Sequence, residues 1–289
     1  MGSVTALYRK QRTLRNKVTY SGMGLHTGEV VAIHFHPAEA DTGVVFCRAD
    51  LPNRPHIRCC VDNIRDTARN TTIGCGDVRL HTVEHVLAAI RAYEVDNVFV
   101  EVEGNEPPVG NGSSDVFVNM IEQAGIVELD TNIVIRSLNH PVYHTEGDTH
   151  LVALPCDRFK VSYTLNYPQN PLLKAQFFSS DVTPEIFKTE IAPCRSFGLY
   201  EEIDPLIDRG LIKGCSLANV VVIKDDVVFS KNGLFFPDEM ARHKVLDLIG
   251  DLSLVGFPFL AHIIAIRSGH ASHKTFSKKL CNAFTNGET

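Results

Sequence analysis

Twice along this chain the same order of elements recurs, and that repetition limits the folds open to it. Leu80 to Ala92 has helical periodicity, Asn97 to Glu103 alternates as a strand, Asn105 to Ser114 is a Pro/Gly/Asn/Ser loop, and Asp115 to Gln123 is a helix stopped by Gly125. Later, Asp238 to Leu254 is a helix, Phe259 to Arg267 a strand, Ser268 to Ser272 a small-residue loop, and a last helix runs to about Phe284. A Thr or His cap opens the first of these helices. With 289 residues the chain can fill two medium cores. The expectation is an α+β fold of two pseudo-duplicated domains, 1–129 and 130–289, each a β-sheet packed with helices in a layered sandwich, with the active site between them.

Strands precede each repeat. Thr13 to Tyr20 and Glu29 to His36 form a hairpin around the turn Ser21 to Gly28, with His26 at its tip and His34 and His36 on an exposed face. Gly43 to Arg48 is another strand, and Asp50 to Gly76 an irregular excursion with short strands. In the second half Ile133 to His144 and His150 to Tyr167 supply strands around the turn Glu146-Gly147-Asp148. An insertion at about 193–226 has a βαβ pattern: Arg195 to Tyr200, Glu201 to Arg209, Leu217 to Lys224. Its apolar side chains (Phe197, Leu199, Ile203, Leu206, Leu211) exceed what a solvent-facing flap needs. An apolar ligand groove explains them, and so does packing on the parent domain.

Charge and composition exclude several classes. A net charge of −6 and a pI near 6.1 give no basic field for nucleic acid, so an anionic substrate has to be met by local Lys and Arg. The longest apolar run, Phe257 to Ile266, is interrupted by Pro258 and His262 and falls short of a membrane span. Met1 to Ala6 lacks the pattern of a signal peptide, and Ala6 breaks that of myristoylation. The eight cysteines form no Cys-x-x-Cys pair, which fits free thiols in a reducing cytoplasm.

Chemistry concentrates on the helix from Asp238. His243, Asp247 and Asp251 stand at i, i+4 and i+8, one above another on a face flanked by Val245, Leu246, Leu248, Ile249 and Leu252. Walled by core, such acids need a cation, a metal or strong donors; facing water, they need nothing. On the earlier helix His81 and His85 are four apart and Glu84 adjoins the second. Equivalent helices of a duplicated fold often meet, and two imidazoles with one carboxylate make a catalytic zinc set with a position left open, Glu84 then serving as base. Chance spacing among thirteen histidines is the alternative. His270, in a Ser-Gly-His-Ala turn, suits a proton donor kept charged by Asp251, or a cap on the last helix. Ser196 is an oxyanion donor or an ordinary strand serine.

Five blocks carry a resemblance: Ser21-Gly22-Met23-Gly24-Leu25-His26-Thr27-Gly28, Thr82-Val83-Glu84-His85, Arg195-Ser196-Phe197-Gly198, Arg242 to Leu252 with its His-Lys-x-x-x-Asp-x-x-x-Asp pattern, and Ser268-Gly269-His270-Ala271. In this order, across nearly the whole chain, they resemble the UDP-3-O-acyl-N-acetylglucosamine deacetylases, zinc amidases of bacterial lipid A synthesis. The resemblance implies zinc on His85, His243 and Asp247, Glu84 as general base, His270 as general acid oriented by Asp251, and Lys244 and the Ser196 hydroxyl at the substrate or oxyanion. It implies substrate contacts from Phe197, Leu199, His26, Ile203 and Cys215, an insertion that encloses a fatty acyl chain, and a neighbour's place for His81. Ser196 stands where the family usually has Thr, Asn111 where it has Asp, Leu199 where it has Phe, and Ser272-His273 where it has Leu-Asn. The implied reaction removes the 2-acetyl group from an acylated nucleotide sugar, in a cytoplasmic monomer with no nucleic-acid partner and no stable membrane insertion.

Overall fold

The computed structural model describes residues 7–286; Met1 to Ala6, read above for targeting signals, lie outside the described residues. The first half contains β1 (Leu7–Leu14), β2 (Val18–Met23), β3 (Val30–Pro37), β4 (Val44–Arg48), β5 (His56–Arg58), β6 (Ile64–Asp66), β7 (Thr72–Cys75), β8 (Val78–Leu80), α1 (Glu84–Ala92), β9 (Val98–Val102) and α2 (Asp115–Ala124). In the second half come β10 (Ile126–Ser137), β11 (Val142–Glu146), β12 (Thr149–Leu154), β13 (Phe159–Leu165), β14 (Gln176–Asp181), α3 (Pro184–Ile186), β15 (Phe197–Leu199), α4 (Tyr200–Asp208), β16 (Val221–Lys224), β17 (Val227–Phe229), α5 (Glu239–Ser253), β18 (Phe259–Ile266) and α6 (His270–Asn286).

The two large sheets repeat one pattern, and the fold is α+β. In the first, strands pair in the order β2-β3-β9-β4-β5, with β9 antiparallel to β3 and parallel to β4. In the second, β11, β12, β18, β13 and β14 pair in that succession, with β18 antiparallel to β12 and parallel to β13. Each central strand comes between two helices in the chain, α1 and α2 around β9, α5 and α6 around β18. We propose on this repetition that 1–129 and 130–289 are the two units; that boundary falls inside β10, which pairs with β1 along one side and touches β18 at its end.

Period-two alternation explains how the sheets meet the helices. Ile33 and Phe35 on β3, Val98, Val100 and Val102 on β9, and Phe259, Ala261, Ile263 and Ala265 on β18 are buried and join one apolar core. Nearly every residue of α1 is buried, as are twelve of the fifteen in α5, so both are core helices and not amphipathic surface ones. They cross where Gly250 lies against Glu84: a Cβ at 250 would sit 2.0 Å from the Glu84 carbonyl oxygen. Glycine at that point is what lets the two helices approach.

Several boundaries differ from the sequence reading. The expected strand Thr13 to Tyr20 breaks at Arg15, Asn16 and Lys17, and its first part joins β10 in the other sheet while β2 keeps the hairpin with β3. No side chain caps α1; Val83 occupies the cap position, and the turn into the helix is made by Thr82 at φ 55°. The insertion adds a third strand, β17, antiparallel to β16. The loop before the last helix is shorter than expected, because α6 already begins at His270. Short β6, β7 and β8 form their own sheet within and just beyond the irregular excursion. Among the described residues all eight cysteines are free thiols, and no helix is long and apolar enough to cross a membrane.

Candidate active site

The crossing of α1 and α5 brings together the side chains singled out on each. His85 Nε2 and His243 Nε2 lie 3.6 and 3.5 Å from Asp247 Oδ1, with the imidazole centroids 5.1 Å apart and nearly perpendicular. All three residues are buried, and their ligand atoms converge within 4.8 Å of one another. His243 Nδ1 donates to the Cys194 carbonyl at 3.0 Å, which leaves Nε2 with its lone pair toward the cluster. Burial pushes the His243 imidazolium down to about 4, so the ring is neutral at pH 7. A convergent, buried set of two imidazoles and one carboxylate fits a divalent metal ion.

Carboxylates around that set are held in different states. Glu84 is buried and accepts the Thr71 N–H at 3.0 Å; burial raises its carboxyl above the usual range, against the pull of His270 and His85. For Asp247 burial works the same way, but Lys244, whose ammonium donates to Oδ2 at 2.6 Å, and His243 outweigh it and hold the carboxyl well below the usual range. Asp251 is likewise buried, yet its interactions with His270 and His273 keep it ionised. His270 Nδ1 lies 2.7 Å from Asp251 Oδ2. Burial opposes the His270 charge, but Asp251, then Asp247 and Glu84, raise its pKa to about 9. A proton acceptor and a proton donor therefore flank one cluster, with His270 Nε2 4.0 Å from Asp247 Oδ2.

These groups form one end of a cavity of about 320 Å³. Twelve of the thirteen candidate residues line it: Glu84, His85, His243, Lys244, Asp247, His270, Ser196, Phe197, Leu199, His26, Ile203 and Cys215. Asp251 stands behind His270 and does not reach it. Away from the polar end the wall is apolar, with Leu206, Ile212 and Val220 of the insertion facing Pro107, Val109 and Phe117 of the first half. Phe197 meets the His243 ring edge-on at 6.2 Å. Ser196 Oγ donates to the Gly112 carbonyl at 3.2 Å, so it has to rotate before it can serve an oxyanion. His26 is clamped instead of standing free at a turn tip: Glu106 accepts its backbone N–H, and its loop pairs with the insertion through Gly214 N–H to Leu25 O at 3.0 Å. His81 Nδ1 bonds the Thr72 hydroxyl and stays outside the ligand groups, as a neighbour.

Sequence reasoning missed three supporting residues. Thr71 braces two carboxylates at once, Glu84 through its N–H and Asp251 through Oγ1 at 2.5 Å. His273, noted only as a departure from the family pattern, shares Asp251 with His270, its Nδ1 2.6 Å from Oδ2. Arg195, noted only as part of a block, is 2% exposed and forms a two-pronged ion pair with the fully buried Glu239 at the head of α5. That pair ties the start of the insertion to the helix that carries His243 and Asp247.

Comparison with known proteins gives a consistent answer. The family model for UDP-3-O-acyl N-acetylglycosamine deacetylase matches residues 11–282. The UDP-3-O-acyl-N-acetylglucosamine deacetylase of Chlamydia abortus is 50% identical over 274 residues, covering 95% of this chain and 98% of the relative. That of Chlamydia caviae is 49% identical with the same coverage, and that of Chlamydia pneumoniae 46% identical over 278 residues, covering 96% and 99%.

Proposed function

Since the chain belongs to the UDP-3-O-acyl N-acetylglycosamine deacetylase family, we propose that it hydrolyses the 2-acetamido group of a UDP-3-O-(3-hydroxyacyl)-N-acetylglucosamine, giving the free amine and acetate. This is the committed step of lipid A biosynthesis and would run in the cytoplasm. The observation that carries the reading is the cavity, with the His85–His243–Asp247 cluster and two oppositely tuned proton carriers at one end and an apolar wall at the other.

His85, His243 and Asp247 are the residues that would hold zinc. Zinc bound there supplies Lewis acidity toward a carbonyl and toward water. The protein's own groups handle the protons. Glu84, braced by Thr71, accepts a proton from the attacking water as the C–O bond forms at the acetyl carbon. As the C–N bond breaks, His270, kept cationic by Asp251, gives a proton to the departing nitrogen. Lys244 holds Asp247 in its ligating posture and places positive charge beside the developing oxyanion, where a turned Ser196 hydroxyl adds a donor. Phe197 and His26 border the sugar, and Leu199, Ile203 and Cys215 take the acyl chain, each buried methylene contributing about 0.8 kcal/mol to affinity.

The test is turnover of the acylated nucleotide sugar and of the same sugar without its 3-O-acyl chain, followed by loss of acetyl mass. Acetyl loss that needs the acyl chain and stops with a chelator is expected. Equal turnover of both sugars would sink the acyl assignment, and no turnover by zinc-loaded protein would sink the reaction.

A further inference from the structure

Asp251 Oδ2 is shared. It accepts from His270 Nδ1 at 2.7 Å and from His273 Nδ1 at 2.6 Å, while Oδ1 accepts from Thr71. The two rings lie at i and i+3 on the first turn of α6, with centroids 6.1 Å apart. His273 is fully buried, and its other nitrogen, Nε2, is 2.8 Å from Ser268 Oγ. The Ser268 carbonyl in turn accepts the Tyr163 hydroxyl at 2.5 Å, which anchors the serine to β13.

Only one neutral tautomer satisfies these contacts. A lone pair on His273 Nδ1 would face a carboxylate lone pair at 2.6 Å, so Nδ1 carries the hydrogen and Nε2 accepts from the Ser268 hydroxyl. Burial lowers the His273 imidazolium further, which keeps the ring neutral beside the charged His270. We propose that His273 is a positioning residue: Asp251 fixes its tautomer, Ser268 completes it, and its Nδ1–H locks Asp251 so that His270 Nε2 faces the His85–His243–Asp247 cluster. Three donors spread over both oxygens leave the carboxylate no rotation that keeps all of them. With the His273 donor removed, Asp251 can turn toward Thr71 and carry His270 away from the cluster. For its kinetic part the inference rests on the deacetylation proposed above; its tautomer part does not.

The test uses zinc-loaded protein labelled with ¹⁵N-histidine. Long-range ¹H–¹⁵N correlations are expected to show His273 protonated at Nδ1, with two strongly downfield imidazole protons, one on each ring that donates to Asp251. Ser268→Ala is expected to leave His273 in the Nδ1–H form, because Asp251 still faces Nδ1. His273→Phe is expected to lower kcat roughly tenfold with KM and bound zinc unchanged, the scale typical of losing a partner that orients a catalytic group. His273→Asn, which keeps an N–H donor, should recover most of that loss. An Nε2–H tautomer in the unsubstituted protein overturns the inference whether or not the protein turns over substrate. A His273→Phe enzyme with unchanged kcat overturns it as well. If His273→Phe does not fold, the His273 tautomer of the unsubstituted protein decides alone.

Discussion

Gly250→Ala places one methyl group where α1 and α5 cross, and it should disable the site. The new Cβ would stand 2.0 Å from the Glu84 carbonyl oxygen and 2.8 Å from its carbon, both backbone atoms that no rotamer change can move. Ordinary contact begins at 3.4 Å, so the helices must part by about 1.4 Å or tilt by an equivalent amount. Glu84 and His85 ride on one helix, His243 and Asp247 on the other, with the His85 to Asp247 distance now 3.6 Å. Metal ligation tolerates about 0.2 Å, so a shift of this size exceeds it several-fold. Overpacking of this kind costs about 1–3 kcal/mol of stability, and a misplacement near 1 Å lowers turnover about 100-fold. The assay pairs a thermal melt with zinc content and kcat of the purified variant. A Gly250→Ala protein with native melting temperature, a full complement of zinc and native kcat would refute the claim that this crossing sets the distance between the ligand-bearing helices.

Other perturbations separate the roles further. Asp251→Asn should lower kcat about 100-fold, since His270 loses the charge that keeps it protonated; the check is a shift of the alkaline limb of kcat to lower pH. The kcat profile itself should be a bell, rising as Glu84 loses its proton above the usual carboxylate range and falling as His270 deprotonates near pH 9. A divalent ion on the cluster would move both limbs to lower pH, because a cation favours the deprotonated form of each group. The same raised pKa makes the His270 contribution to stability complete below its unfolded value near 6.5 and lost as pH rises through about 9; denaturant midpoints across that range read it out. Arg195→Met leaves the Glu239 carboxylate buried without its cation, and should cost about 3–5 kcal/mol in the same measurement.

What the sequence disclosed and what it hid follow from separation along the chain. The stripe His243, Asp247, Asp251 was legible because helical geometry fixes its spacing locally, and Glu84 with His85 because they adjoin. That the two helices meet came from the repeated order of elements, which the matching strand pairings of the two sheets bear out. Thr71 was invisible: it reaches Asp251 across 180 positions, and no local pattern marks such a contact. His273 left a signal that was overlooked, since starting the last helix at His270 puts the two histidines at i and i+3. The break at Arg15 to Lys17 sends one strand to each sheet, and nothing in the alternation of those residues announces which partner wins. The expected cap on α1 failed because the helix starts late, after a β-branched residue held at positive φ beside the pocket.

In the proposed division of roles His85, His243 and Asp247 hold the ion while Glu84, next in sequence to a ligand, only moves protons. Metal content by mass spectrometry, measured on Glu84→Ala and His243→Ala purified side by side and set against their turnover, tests it most directly. Glu84→Ala should keep a full complement of zinc and lose nearly all turnover, whereas His243→Ala should lose both. Zinc lost equally from the two variants, or turnover surviving in Glu84→Ala, would contradict it.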